Sequence, residues 1–443
     1  MAKKQQEEQK LPHEYFPPVA FSAAGPDNPT QQANLITTRQ SPFFTFAMAI
    51  TAESLQRRAD VLMLNFTREA MAARILVDGF PYDLKPMDRQ TGDGMLACFK
   101  KLGNLNPAER RAKQDAKYGV EFQGQKLNLF FTSQGVPTGE QVIIKFAPKK
   151  FPFATLDDLG MRDKMRDQFK QLINEPQGLI IFSAPPSGGL TTSWKVFLEA
   201  ADRFVRDFIA VEPKTTTDEE VINVTSNKYD AAAGQTPDVV LPPLLLKQPD
   251  VLVVPEMTNQ ATAQLLCDQV TKQNKMAITR VQAKEAAEAL LRVLATYKPT
   301  AESYAEAVTM VVNQRLVRKL CDCKQPFQPT PQLLQRLGIP PGRVQTMYQQ
   351  WQPPPPNPDP KAKQEEPQIC QKCNGIGYYG RTAIFELLAV NDQIRQALVK
   401  NPSLDAMRQL VRQTGTRNIQ DEGILLLVKG VTSLPELQRV LKS

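Results

Sequence analysis

The feature that most constrains the fold is the stretch GLIIFSAPPSGGLTTSWK, residues 178–195. It begins with a short apolar run rich in isoleucine, Gly178 to Phe182, which is typical of a strand covered on both faces. Small and turn-forming residues follow, and the chain then enters a helical pattern. A buried strand, a turn and a helix in direct succession predict a layered α/β domain organised around this stretch.

The turn has the spacing of a phosphate-binding loop, G-x-x-x-x-G-K-[ST], with Ala184 at the first glycine, Gly189 at the second and Thr191 at the hydroxyl position. Leu190 stands where the lysine belongs. The loop retains backbone amides and a helix N-terminus, but it lacks a charge that is worth roughly 4 kcal/mol at about 4 Å from a phosphate, before desolvation. An ordinary strand-to-helix connection is the alternative interpretation.

Residues 155–324 alternate helical and strand patterns, which indicates a mostly parallel sheet with helices on both faces. Two apolar strands in this region end at acidic residues, Glu212 and Glu256. In folds with a phosphate loop, a carboxylate at such a strand end orients water or a metal ion. Glu256 is therefore a candidate catalytic residue, although a glutamate after a strand is also a common helix-start residue.

Composition sets broad limits on the protein. Its 443 residues, 42% hydrophobic and 23% charged, are enough for two or three globular domains. Since we find no secretory signal and no apolar run near the ~20 residues that span a bilayer, we expect a cytoplasmic protein. The net charge of +8 permits acidic lipid, nucleic acid or acidic protein as a partner. The single histidine, His13, lies in a polar tail, which excludes histidine chemistry in the folded domains.

The N-terminal third divides into two parts. Residues 1–40 show no sustained period and are rich in polar residues, proline and alanine, so we expect a disordered tail. Over residues 41–152, alternating strands, one or two helices and a hairpin signal at Asp78-Gly79 predict a small α+β domain. Its basic residues are either functional or ordinary solvated charges: Arg74, Arg110, Arg111 and Lys117.

Four of the six cysteines form two close pairs, Cys321 with Cys323 and Cys370 with Cys373. Four thiolates that a loop brings together can occupy the corners of a tetrahedron, which predicts a structural Zn²⁺ site within residues 321–385. The first pair is C-x-C, tighter than the usual C-x-x-C, so reduced cysteines on adjacent turns are the alternative. The intervening Gln/Pro-rich stretch with PPPPNPDP is expected to be an extended, solvated insert.

Helical patterns flank the cysteine region. We expect a helix from about Glu302 to Leu320, at the end of a nucleotide-binding core that we assign to residues 153–320. Beyond Gly380, further helical patterns predict a small C-terminal helical domain over residues 386–443.

A series of stretches now points to a family: RADVLMLNF, RILVDG, PAERRAKQDAKYGV, PTGEQVIIKF, LDDLGM, QPDVLVVPE, NQRLVRKLC and CQKCNGIGYYGRTAIFELL. In this order, from about Ala49 to the C terminus, the chain resembles the motor ATPases of type II secretion and type IV pilus assembly, in their shorter form without an extra N-terminal domain. The resemblance implies a PAS-like N-terminal domain, a RecA-like P-loop core, a tetracysteine zinc module and a helical cap.

The resemblance also implies cofactors and partners. The cofactors would be ATP and Mg²⁺, bound by a hexameric ring that assembles pseudopilins. The partners of this ring would be the cytoplasmic portions of inner-membrane secretion or pilus components. The ring would therefore lie at the inner face of the cytoplasmic membrane. The residues that would contact ATP are Ser187, Gly188, Gly189, Leu190, Thr191, Thr192, Arg74 and Lys117.

The departures from the family pattern fall on the catalytic residues. Leu190 replaces the loop lysine, Gln282 replaces a histidine, and Lys117 replaces an arginine. Glu212 stands before Pro213 without the aspartate that the family has between them, so we regard it as vestigial. The functional positions that survive are Glu256, Glu212, Thr191 and Arg74.

Three hypotheses follow. The first is a degenerate paralogue, weak or inactive in ATP hydrolysis, that acts as a structural or regulatory partner in a homo- or hetero-hexamer with a catalytic paralogue. The second is an active ATPase with a rearranged site, in which Lys195 reaches back to the phosphates from about 6 Å farther along the helix. The third, a nucleic-acid translocase, rests only on net charge and fold, and we expect no nucleic-acid partner.

Overall fold

The computed structural model describes residues 11–216, 218–353 and 368–442. The chain divides into two compact units, an N-terminal unit up to Pro152 and a C-terminal unit from Phe153 onward.

The N-terminal unit contains an eight-stranded antiparallel sheet with three α-helices among its described residues. Strands β1 to β8 are Val19–Ser22, Val61–Phe66, Ala70–Val77, Phe80–Asp83, Met87–Asp88, Gln114–Phe122, Gln125–Val136 and Gly139–Pro148. Helices α1 to α3 are Asn28–Arg39, Phe44–Gln56 and Arg89–Leu102. The strand order is β1-β6-β7-β8-β2-β3-β4, with β5 paired to β3.

The strands of this unit alternate apolar and polar residues. In β2, the side chains of Leu62, Leu64 and Phe66 are buried and the residues between them are half-buried, as expected for a sheet with one face on the core. Helix α3 contributes Phe99, which is fully buried. The small α+β domain predicted from alternation and from the hairpin signal therefore has the expected class of structure.

The structure contradicts the disordered tail that we expected, over residues 11–40. Strand β1 pairs with β6, and Phe21 places its ring 5.9 Å from that of Phe44 and 6.3 Å from that of Phe99. Asp27 caps helix α1 by accepting a hydrogen bond from the backbone of Thr30 at 2.8 Å. A few buried apolar side chains and one helix cap are enough to order this polar segment. Residues 1–10 lie outside the described part of the chain.

The C-terminal unit is built on a seven-stranded sheet in the order β11-β10-β12-β13-β9-β14-β17. Strands β9 to β17 are Gly178–Ala184, Phe208–Pro213, Val224–Tyr229, Val251–Val254, Met276–Gln282, Val308–Leu320, Gln325–Phe327, Met347–Gln349 and Tyr378–Ala389. Helices α4 to α14 are Asp163–Ile173, Leu190–Glu199, Pro237–Leu245, Gln260–Gln273, Ala286–Tyr297, Ala301–Ala307, Pro331–Arg336, Asp392–Lys400, Leu404–Gln413, Ile419–Val428 and Leu434–Lys442.

All neighbouring strands of this sheet are parallel except β17, which runs antiparallel to β14. Every residue of β9 is buried, as is every residue of β12, because helices cover both faces of the sheet. On one face, Phe182 of β9 stacks on Phe197 of α5 with 4.4 Å between ring centroids. The mostly parallel sheet predicted from sequence is confirmed.

The helix expected from Glu302 to Leu320 is wrong over most of its length. Helix α9 ends at Ala307, and β14 then continues to Leu320 as a strand between β9 and β17. Because β14 is almost wholly buried on both faces, its residues do not alternate, and a nearly continuous apolar run cannot be told from a buried helix by periodicity.

The core sheet does not end at residue 320, where we placed its boundary. After the cysteine region the chain returns as β17, which pairs with β14 from Met310 opposite Ala389 to Leu320 opposite Tyr378. This pairing covers the edge of β14 that would otherwise expose unpaired backbone groups. The Pro-rich insert lies mainly in residues 354–367, outside the described residues.

Four helices, α11 to α14, follow β17, as the C-terminal pattern predicts. Helix α14 is fixed to β14 by a buried ion pair, in which Arg318 Nη2 lies 2.7 Å from Glu436 Oε2. The Glu436 side chain has 0% exposure and also accepts hydrogen bonds from Arg439. Burial alone would raise the pKa of Glu436, but the hydrogen bonds from Arg439 and Arg318 lower it to about 2.

We predict that Glu436→Gln destabilises the C-terminal unit by about 3 kcal/mol at pH 7, because a lowered pKa stabilises the fold wherever the carboxylate is ionised. This contribution is complete above the pKa of an unfolded glutamate, about 4.3, and it is lost as the pH falls towards 2. Urea unfolding at pH 7 and pH 3 should therefore show a gap between variant and native protein that narrows in acid. Glu302→Gln, at an exposed position, is the control, and an equal gap at both pH values would contradict the ion-pair explanation.

Candidate functional site

The candidate phosphate loop lies at the carboxyl edge of the parallel sheet. It follows β9, whose last residues pair with β13 at Ala184 opposite Gln282 and with β14 at Ser183 opposite Asn313. A loop that follows the carboxyl end of a strand with neighbours on both sides opens onto the crevice where α/β folds bind ligands.

The loop has a tight, defined geometry. The Gly188 N–H donates to the carbonyl of Pro185 at 2.9 Å, and Ser187 lies in the left-handed region with φ 61°. A Cβ at Gly188 would lie 2.8 Å from the Cβ of Ala184, so both positions require small residues. Gly189, at φ 85°, is the residue before α5 and its left-handed conformation favours glycine.

Helix α5 begins at Leu190, the position of the lysine in the motif. The Leu190 side chain is half-buried, Thr191 is exposed, and Thr192 is half-buried. Since Gly189 has no side chain to cap the helix, the first amides of α5 can donate to an anion. The loop therefore presents partial positive charge from backbone groups, with a neutral apolar side chain at the cation position.

Two buried side-chain amides of β14 donate hydrogen bonds to the loop and to the strand that precedes it. Gln314 Nε2 donates to the carbonyl of Gly188 at 2.8 Å, and Gln314 has 0% exposure. Asn313 Nδ2 donates to Ser183 Oγ at 2.8 Å and to the carbonyl of Ala283 at 3.0 Å. These bonds connect the loop and its strand to the segment that follows β13.

Glu256 is exposed and lies beside a guanidinium group. Its Oε1 is 4.0 Å from Nη2 of Arg280, and the Glu256 side chain is 53% exposed. Arg280 forms a two-point ion pair with buried Asp218, at 2.8 and 3.1 Å, and lies over the ring of Trp194 with 5.2 Å to its centroid. Trp194 belongs to α5, so Arg280 connects the Glu256 strand end to the helix that follows the loop.

Glu212 is already paired. Its carboxylate accepts hydrogen bonds from Lys228, the residue directly opposite on β11, and from Ser226 Oγ at 3.0 Å. The Glu212 side chain is only 12% exposed. A catalytic role for this group would require the ion pair with Lys228 to open.

Arg74 and Lys117 belong to the N-terminal unit. Arg74 is exposed and its Nε lies 2.7 Å from Asp83 Oδ1, which raises the pKa of the guanidinium. Lys117 Nζ lies 5.2 Å from the centroid of the Phe130 ring. Their assignment as ATP contacts stays a prediction.

The four predicted cysteines come together. The Sγ atoms of Cys321, Cys323, Cys370 and Cys373 lie within 4.8 Å of one another, and all four cysteines are unpaired by disulfides. Cys321 Sγ is 3.9 Å from Cys370 Sγ, and Cys323 Sγ is 3.7 Å from Cys373 Sγ. Thiolates bound to one ion at about 2.3 Å would be about 3.8 Å apart at tetrahedral corners. The cluster can hold a metal ion.

The environment of the thiols suits a cation. The backbone N–H of Cys373 is the main cause that lowers the pKa of Cys370 to about 7, while burial raises the pKa of Cys321 and of Cys323. The Gly377 N–H also donates to Cys373 Sγ at 3.3 Å. Burial disfavours the thiolates of Cys321 and Cys323, and a divalent metal ion would supply the positive charge that stabilises them.

Sequence reasoning missed the residues that support the loop from other elements: Asn313, Gln314, Arg280 and Asp218. Asn313 and Gln314 lie in the stretch NQRLVRKLC, most of which the sequence pattern predicts to be helical but which belongs to β14. Two consecutive amide side chains inside a long apolar run were the available signal, because buried polar groups require partners.

Comparison with known proteins identifies the family. The family model described as "Type II/IV secretion system protein" matches residues 37–439. The chain therefore belongs to the Type II/IV secretion system protein family, whose curated relatives include secretion and pilus assembly ATPases. The family predicted from the sequence is confirmed.

The relatives are distant but extensive. The protein transport protein HofB homolog of Escherichia coli K12 is 27% identical over 388 residues, 88% of this chain and 79% of that protein. The type II secretion system ATPase E of Vibrio cholerae is 25% identical over 95% of this chain and 80% of its own length. The type IV pilus assembly ATPase PilB of Thermus thermophilus is 24% identical over 88% of this chain, but the match spans only 42% of that longer protein.

Solved structures show the same fold. The ATPase DotB of Legionella pneumophila aligns over 90% of this chain and 95% of its own, with TM-score 0.55 and 12% identity. The pilus retraction motor PilT with bound ADP aligns over 88% of this chain and 95% of its own, with TM-score 0.51 and 15% identity. The RecA-like secretion ATPase fold, with a tetracysteine cluster, is therefore the fold of this chain.

We predict that Gln314→Leu destabilises the phosphate loop, because the buried carbonyl of Gly188 loses its donor at a cost of about 1–3 kcal/mol. Hydrogen exchange of the amides in residues 185–192 should accelerate in the variant. Gln335→Leu, at an exposed site on α10, serves as the control. Unchanged exchange in the loop would mean that Gln314 does not hold it.

Proposed function

We propose that this protein is a degenerate member of its family, with weak or no ATP hydrolysis, and that it acts as a structural or regulatory component of a type II secretion or type IV pilus assembly motor. The observation that carries the proposal is Leu190 at the first position of α5, where the motif requires a lysine. A neutral side chain there cannot offset the charge of a triphosphate.

The energetic argument favours loss of catalysis. Phosphoryl transfer depends on positioning and on neutralising charge, and one cation about 4 Å from the phosphates is worth roughly 4 kcal/mol before desolvation. The backbone amides of the loop and of the α5 N-terminus supply partial charges only. Nucleotide binding that survives should therefore be weak, with Thr191 available for Mg²⁺ and Glu256 as the remaining acid.

The carboxylates support the same proposal. Glu212 is paired with Lys228, and the Glu256 carboxylate lies 4.0 Å from the Arg280 guanidinium. Arg280 is itself bound to Asp218. Neither carboxylate is positioned as a proton acceptor beside a cation that could also contact a phosphate.

The setting of the proposed function follows from the family. We propose a homo-hexameric ring, or a hetero-hexamer with a catalytic paralogue, that works with the cytoplasmic portions of inner-membrane components at the inner face of the cytoplasmic membrane. Within the described residues, no helix has both the length and the apolar character needed to cross a bilayer. An active ATPase with a rearranged site is the competing function, and it makes the opposite prediction for turnover.

We further propose that the metal of the tetracysteine cluster is zinc. The described cluster offers four sulfur ligands at nearly tetrahedral spacing, and tetracysteine sites of this kind hold structural Zn²⁺. Such an ion would fix the end of β14 to the chain that leads into β17.

The nucleotide prediction concerns Leu190. Purified protein should show no saturable hydrolysis above background, and Leu190→Lys should tighten binding of Mg-ATP by at least about tenfold, because it restores the missing cation. Calorimetric titration with and without Mg²⁺ measures the affinity. Leu190→Met is the matched control, which keeps an apolar side chain and should leave the affinity unchanged.

A different turnover result would overturn the proposal. The native protein would have an active site if it hydrolysed ATP at about one turnover per second, an ordinary value for an enzyme, and if Glu256→Gln abolished this activity. Loss of that activity in Lys195→Ala would assign the cation to Lys195.

The metal prediction is a stoichiometry. Gently purified protein should contain about one zinc ion per chain, and Cys370→Ser should remove most of it and lower the thermal midpoint, because three thiolates bind the ion less tightly than four. Elemental analysis by mass spectrometry measures the metal. Cys267→Ala, at a buried cysteine outside the cluster, should retain it, and native protein with almost no metal would refute the site.

A further inference from the structure

A second concave site lies within the N-terminal unit, and its lining includes none of the residues assigned to ATP. It is a cavity of about 600 Å³, with walls formed by four arginines and by the tip of the β7–β8 hairpin. The arginines are Arg68, Arg89, Arg110 and Arg111. The lining contains no lysine, and its acidic member is Glu140.

Two of the arginines are held in position. Arg89 Nε lies 2.9 Å from Asp93 Oδ2, its guanidinium lies over the buried ring of Phe66 at 5.5 Å, and its Nη1 donates to the carbonyl of Thr67. Arg110 Nη1 lies 3.1 Å from the other oxygen of the same Asp93 carboxylate. One carboxylate therefore serves two guanidinium groups, and a positive charge is left over.

The acidic residue in the wall does not offset that surplus. Glu140 is 2% exposed and its Oε1 lies 2.5 Å from Nζ of Lys100, which is fully buried. The carboxylate of Glu140 is thus paired with Lys100, which does not line the cavity. It contributes shape to the wall and little net charge.

The other two arginines are exposed at the rim. Among the residues that the structure describes, neither Arg68 nor Arg111 has a carboxylate within ion-pair distance. Of the four guanidinium charges, the Asp93 carboxylate offsets one. The lining residues therefore carry a net positive charge.

The backbone around the cavity is fixed by close packing. The Gly135 N–H donates to the carbonyl of Arg111 at 3.2 Å, and a Cβ at Gly135 would lie only 2.8 Å from the Cα of Arg111. The β7–β8 hairpin therefore rests directly on the Arg110–Arg111 backbone. This contact fixes the backbone positions from which the Arg110 and Arg111 side chains extend.

We propose that this cavity binds a phosphate-bearing ligand, either a free phosphorylated small molecule or a phospholipid headgroup. The planar guanidinium group donates two parallel hydrogen bonds to a phosphate, which distinguishes arginine from the point charge of lysine. The volume of the cavity is within the range of small-molecule sites. The site would be a second anion-binding centre, independent of the phosphate loop and of whether ATP is hydrolysed.

The test uses pyrophosphate as the probe and the full chain as the receptor. Calorimetric titration should show saturable binding that weakens at least about tenfold in the double variant Arg68→Gln/Arg111→Gln, because two charge-assisted contacts are lost. Arg39→Gln removes one exposed charge from the same unit at the end of α1 and should leave the affinity unchanged. Both altered positions are exposed, so the thermal midpoint should stay that of the native protein.

Thr191→Glu separates this site from the phosphate loop. It places a negative charge in the first turn of α5, where it repels phosphate and leaves the N-terminal unit untouched. Pyrophosphate binding that persists in Thr191→Glu and fails in the arginine double variant supports the cavity. Binding that fails in Thr191→Glu and persists in the double variant overturns it, whatever the outcome for ATP hydrolysis.

A second arm distinguishes the two sources of phosphate. Flotation with phosphatidylcholine vesicles, with and without phosphatidic acid, measures binding to a lipid headgroup. Retention on phosphatidic acid that the double variant abolishes identifies a headgroup site, and arginine-dependent binding of pyrophosphate alone identifies a free phosphorylated ligand. If the binding of neither probe depends on the two arginines, the proposal is wrong. This outcome includes the case in which the surface binds an acidic protein instead.

Discussion

The architecture of the C-terminal unit depends on the burial of β9 between β13 and β14. Every residue of this strand is buried, so its polar ends must be satisfied by neighbouring elements rather than by water. The amides of Asn313 and Gln314 meet this requirement from β14, one at the strand and one at the loop. The same hydrogen bonds that satisfy the buried strand also define the shape of the loop.

That shape does not depend on the side chain at position 190. The left-handed Gly189, the small Gly188 and the uncapped start of α5 are the features that position backbone amides for an anion, and all of them depend on sterics rather than on charge. Leu190 leaves these features in place. A loop of this kind can therefore keep its architecture whichever side chain stands at position 190.

Much of the fold could be predicted from the sequence, and the failures have physical reasons. The strand predicted from Gly178 to Phe182, the acidic strand ends and the two cysteine pairs are local patterns, and each appears where it was expected. Strand β14 was mistaken for a helix because burial on both faces removes alternation. The partners of Glu212 and Glu256 could not be foreseen, since Lys228 and Arg280 reach them through strand register and helix packing.

Strand β14 has one further consequence. Along its 13 residues, from Val308 to Leu320, it carries the amide beneath the loop and the arginine that binds α14, and it ends next to Cys321 of the thiol cluster. Arg318 and Cys321 both follow Gln314 at the carboxyl end of this strand. The ion pair to α14, the thiol cluster and the support of the loop therefore all depend on the position of one strand.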